Sequence, residues 1–61
     1  MLIYDKIKKI CDEKGLSVRQ VEIKAGLPNA TISKWNDSSP TVKNLKAVAD
    51  VLHVKIDKLV S

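Results

Sequence analysis

With 61 residues the chain has room for a single domain, 1–61, near the lower limit for folding without a covalent or metal staple. One cysteine excludes an internal disulfide, and one cysteine with one histidine cannot complete a four-ligand structural zinc site, so stability must come from an apolar fraction of 44%. A net charge of +4, from 11 Lys and Arg against 7 Asp and Glu, favours a polyanionic partner, with nucleic acid and an anionic membrane surface both compatible.

Ile3, Ile7, Ile10 and Cys11 recur at helical spacing and predict a first helix, with Lys6, Lys8, Lys9, Asp12 and Glu13 mostly on its solvated faces. Gly15 is its expected C-terminal cap. Ser17 followed by Gln20 is a capping box that opens a second helix, in which Val18, Val21 and Ala25 form a narrow apolar stripe. Gly26 ends that helix after about two turns.

A third helix is expected from Asn29 to Trp35. Pro28 lies in its first turn, where a missing N–H costs nothing. Ile32 and Trp35, three apart, face the core. Thr41 is the N-cap expected for a fourth helix, lined by Leu45, Val48, Ala49 and Leu52. His53 sits at its end, where a basic side chain suits the helix dipole. A last turn carries Ile56, Leu59 and Val60. The expected fold class is thus all-α, a compact five-helix bundle.

The informative unit is Ser17 to Trp35, two short helices joined by a turn of about three residues that contains glycine. In this helix-turn-helix geometry the first helix crosses the DNA backbone and the second enters the major groove. The polar residues of the second suit that task. Asn29 can pair bidentately with adenine, Lys34 can reach guanine or a phosphate, and Ala30 and the Thr31 methyl can meet a thymine methyl. Ser33 adds a short donor and acceptor. No acid lies between Glu22 and Asp37, as expected of a surface that approaches phosphates.

The stretch LSVRQVEIKAGLPNATISKWNDSSP, Leu16 to Pro40, resembles the Cro and lambda-repressor type of helix-turn-helix, the xenobiotic-response-element family. Gly26, Ile32 and Trp35 stand at the turn and packing positions of that motif, and LKAVADVLHVKIDKL continues the likeness in the tail. The ISKWNDSSP form is similar to small regulators and phage repressors of low-GC Gram-positive bacteria. The resemblance implies a sequence-specific repressor that binds a palindromic operator in double-stranded DNA as a homodimer. It makes Asn29, Ala30, Thr31, Ser33 and Lys34 the base-reading candidates. Ser17, Val18 and Arg19 at the second helix start, Ser38 and Ser39 in the following loop, and Lys43 are the phosphate-contact candidates, with Lys46 as evenly balanced as Lys43.

Six positions depart from the family pattern. Val18 replaces a phosphate-binding Gln, a role Arg19 could assume. Glu22 replaces a small Ala and must turn outward or find a cation such as Lys34. Asp37 replaces a loop Asn, Ser38 replaces a loop Gly, and Cys11 with Asn36 replaces an Arg–Glu pair.

Trp35 reads as core rather than as a stacking platform. With Tyr4 the only other aromatic, a single-strand binder of the stacking type is disfavoured. Cys11 reads as a small buried hydrophobe. Neither a nucleophile–base pair nor a phosphate loop occurs, so no enzyme activity, cofactor, metal or small-molecule ligand is expected. The absence of a long apolar run leaves no transmembrane span, nothing resembles a signal peptide, and a cytoplasmic location with a reduced Cys11 is expected. Homodimerisation could use Leu59 and Val60 or Leu2 and Ile3, residues that could equally complete a monomer core. The alternative reading is a protein-binding antitoxin-like or anti-regulator module on the same fold.

Overall fold

A computed structural model describes residues 2–60. Helix α1 spans Ile3–Lys14, α2 spans Val18–Ala25, α3 spans Val42–Leu52 and α4 spans Asp57–Val60, with a 3₁₀ helix at Ile32–Asn36 between α2 and α3. The described residues are therefore all-helical, but with four α-helices rather than five. The expected third helix is the one that differs.

Three of the helices end in the same way. Gly15, Gly26 and His53 adopt the left-handed conformation at φ 72°, 75° and 58°. The amide of each bonds a carbonyl of the last turn, and the next residue bonds one position further back: Leu16 N–H to Cys11, Leu27 N–H to Glu22 and Val54 N–H to Ala49, at 2.8, 2.8 and 3.0 Å. These are Schellman closures, in which the residue after the cap packs an apolar side chain. Leu16, Leu27 and Val54 do so, each half-buried against the core.

Helix starts are also built as the sequence predicts, in two cases. Ser17 Oγ accepts the Gln20 amide at 3.0 Å while Gln20 Oε1 accepts the Ser17 amide at 2.8 Å, completing the capping box. Thr41 Oγ1 accepts the Asn44 amide at 3.2 Å at the head of α3. Helix α1 has no side-chain cap from its own N-cap, Leu2. Asn36 supplies one from a distance. Its Oδ1 accepts the Tyr4 amide at 3.0 Å and its Nδ2 donates to Asp5 at 3.2 Å. The end of the 3₁₀ helix is thus tied to the first turn of α1, and Asn36 makes its polar contacts there.

Ile7, Cys11, Val21, Ile32, Trp35, Leu45, Val48, Ala49, Leu52 and Leu59 form one core. Helix α2 packs mainly on α3, while α1 packs on the 3₁₀ helix and on α4. Leu59 is 0% exposed, which removes it from any dimer patch and assigns it to the monomer core. Ile3 also packs against the core, leaving Leu2 and Val60 as the exposed apolar residues of the two patches considered. Cys11 is buried, and burial, aided by nearby Asp12 and opposed by Lys8, pushes its thiol pKa up from the ordinary value of 9.0. A thiol so placed stays protonated and inert.

Candidate nucleic-acid interface

The segment expected to enter the groove begins later, and winds more tightly, than the sequence suggests. Pro28 lies outside any helix, Asn29 and Ala30 form a turn, and helical geometry starts at Ile32. Ala30 has φ 62°, the left-handed region that a Cβ disfavours by roughly 1–2 kcal/mol. A helix running from Asn29 is interrupted there. The hydroxyl groups supply a reason. Thr31 Oγ1 donates to the Pro28 carbonyl at 2.8 Å and Ser33 Oγ donates to the Ala30 carbonyl at 2.9 Å. Short polar side chains that bond nearby carbonyls compete with the α-helical ladder. The backbone bonds that remain span three residues, Lys34 N–H to Thr31 at 3.3 Å and Asp37 N–H to Lys34 at 3.0 Å.

This geometry separates anchors from readers. Ile32 and Trp35 are buried, whereas Asn29, Ala30, Ser33 and Lys34 are exposed and Thr31 is half-buried. Because the Thr31 and Ser33 protons are already directed at carbonyls, these hydroxyls present lone pairs outward and act as acceptors. Asn29 offers both donor and acceptor, and Lys34 offers donors only.

The phosphate candidates lie on three separate segments. Ser17 and Arg19 are exposed at the head of α2, and Val18 is half-buried with its side chain against the core. Val18 can therefore face an anion only through its amide. The first amides of a helix have no partner within it. Here the capping box occupies that of Gln20, and the Ser17 carbonyl accepts that of Val21 at 3.2 Å. The amides of Val18 and Arg19 are left at the positive end of the helix, the usual setting for a bound anion. Ser38 and Ser39 are exposed in the loop after the 3₁₀ helix, and Lys43 is exposed in the first turn of α3. Among the described residues the ion pairs are Lys8–Asp12 and Arg19–Glu22, so Lys34 and Lys43 keep unpaired ammonium groups.

Glu22 does not turn outward, nor does it meet Lys34. It is 3% exposed; its Oε2 accepts the Ile32 amide at 2.9 Å and its Oε1 faces Arg19 Nη1 at 3.5 Å. The cation it meets is Arg19, in line with the expectation of a nearby cation, but its bond to the Ile32 amide was missed. Its only signal was an acid at a position where the motif buries a small residue. The contact joins the head of α2 to the start of the 3₁₀ helix, and among the described residues it is the side-chain link between the two candidate groups.

Among the described residues no helix is long and apolar enough to cross a membrane, and no cluster of His, Cys, Asp and Glu is suited to hold a metal. No curated protein matches the chain as a relative. A family described as helix-turn-helix matches residues 7–59, from the buried face of α1 to the core residue of α4. With α2 and the 3₁₀ helix joined through a left-handed Gly26 inside that span, the chain belongs to the helix-turn-helix family of the Cro and lambda-repressor type, a family of DNA-binding transcription regulators.

Proposed function

We propose that the protein is a sequence-specific repressor that binds a palindromic operator as a homodimer, with Asn29 to Trp35 in the major groove. The observation that carries this reading is the division of labour in that segment. Ile32 and Trp35 fix it to the core, while Asn29, Ala30, Ser33 and Lys34 remain exposed on a stretch with no acid from Ile23 to Asn36.

Affinity comes from phosphate contacts by Ser17, Arg19, Ser38, Ser39 and Lys43 and by the amides of Val18 and Arg19, and sequence choice comes from the reading segment. Either Leu2 or Val60, at 55% and 54% exposure, offers an apolar contact for the dimer. Two such segments about 34–36 Å apart match half-sites one turn apart, and occupancy of the site excludes polymerase.

Selection of bound sequences from a random DNA pool tests the reading. A two-fold symmetric site is expected. On that site Lys34→Ala and Asn29→Ala should each weaken binding by about 1–3 kcal/mol. Loss for neither would overturn the placement of the reading segment, and an absence of DNA affinity at low salt would favour the protein-binding alternative.

A further inference from the structure

The start of the 3₁₀ helix lacks the kind of cap that α2 and α3 possess. Thr31, its N-cap residue, makes no side-chain cap, because its hydroxyl is directed back at Pro28. The Ile32 amide belongs to a residue that is 0% exposed, where an unpaired N–H would be costly. Glu22 satisfies it across ten residues of chain, at 2.9 Å, while its other oxygen faces the half-exposed Arg19 guanidinium.

We propose that Glu22 is a positioning residue for DNA recognition. Its carboxylate sets where the reading segment lies relative to the head of α2, and so relates the side chains that read bases to those that grip phosphates. This rests on the DNA-binding reading above. Arg19 belongs to both parts. It is exposed enough to meet a phosphate and close enough to Glu22 to help hold the carboxylate in place. A bond that aligns two halves of an interface contributes to specific binding, where both halves must be in register. It contributes little to nonspecific binding, which needs only the phosphate-gripping half.

The experiment measures, on the full chain, the ratio of affinities for the selected operator and for unrelated duplex DNA. That ratio is independent of the fraction folded, so a merely structural role leaves it unchanged. Glu22→Ala is expected to lower it by about tenfold or more with nonspecific affinity retained, whereas Glu22→Gln, which keeps an acceptor for the Ile32 amide, should hold it within about threefold of the parent. Hydrogen exchange at the Ile32 amide should accelerate in the alanine variant and not in the glutamine variant. If the alanine variant does not fold, Glu22→Asp decides, since it keeps the charge but shortens the reach. A fall in the ratio of about threefold or more supports the proposal, and an unchanged ratio overturns it. A normal ratio in a folded Glu22→Ala protein also overturns it while leaving the DNA reading intact. A parent protein with no preference for any operator overturns both.

Discussion

Helix α2 begins at a capping box between Ser17 and Gln20 and stops at a left-handed Gly26, so its boundary devices lie within its own ten residues. The 3₁₀ helix that follows has no local cap at its start, where the bond comes from Glu22, and its last residue, Asn36, bonds the first turn of α1. The first piece carries its own boundaries; the second is held from outside. The piece that reads bases is therefore the one whose conformation depends on the rest of the molecule. A segment rich in small polar residues has little helix preference, and its two apolar residues, Ile32 and Trp35, gain only by packing on the rest of the core. The surface that suits it to a groove is the surface that leaves it unable to stabilise itself.

Removing the external anchor is the harshest test of this contrast. Trp35→Ala should cost about 3–5 kcal/mol, which in a domain whose total stability is about 5 kcal/mol leaves it at best marginally folded. Urea denaturation followed by circular dichroism measures the loss, and a change under about 1 kcal/mol would show that the segment stands without its anchor. Ser17→Ala should cost about 1 kcal/mol in the same assay. Because that device is local to α2, the ratio of specific to nonspecific affinity should fall less than with Glu22→Ala.

Among the described residues, two with a Cβ occupy left-handed positions, Ala30 at φ 62° and His53 at φ 58°. Glycine at either removes a cost of roughly 1–2 kcal/mol and adds back about 0.5–1 kcal/mol of chain entropy. Each substitution should therefore stabilise by up to about 1.5 kcal/mol, read as a rise in melting temperature. Destabilisation by Ala30→Gly alone would mean that the turn before the 3₁₀ helix is not left-handed in solution.

The smallest effect concerns Cys11. Its thiol pKa is raised by burial, so the unfolded chain loses this proton at lower pH than the folded one. The contribution is complete below the ordinary value of 9.0 and is lost as pH rises past it toward the folded value. Stability should fall more steeply from about pH 8 to about pH 10 in the parent than in Cys11→Ala, compared by urea titration at each pH.

Much of this was legible because it is local. Gly15, Gly26, Ser17 with Gln20, and Thr41 act within a turn or two of their own position, and the structure uses each as its chemistry suggests, whereas His53 ends its helix as a left-handed cap rather than through its side chain. Trp35 and Cys11 lie in the core, as their spacing from Ile32 and Ile7 indicates. The exposure of Asn29, Ser33 and Lys34 follows from the same spacing. The left-handed Ala30 was not legible, since alanine is the residue most at ease in a helix and two hydroxyl-to-carbonyl bonds divert the backbone. Nor was the inward turn of Glu22, because its partner amide is ten residues away.

What the sequence by itself determined is where α2 and α3 start, where α1 and α2 stop and which faces are apolar, since capping and periodicity depend on neighbours along the chain. The tertiary structure alone decided what holds the Asn29–Trp35 segment in place. Its defining bonds, Glu22 to Ile32 and Asn36 to Tyr4, join residues ten and thirty-two positions apart. Such bonds exist only after packing has brought those groups together and excluded the water that would otherwise satisfy them.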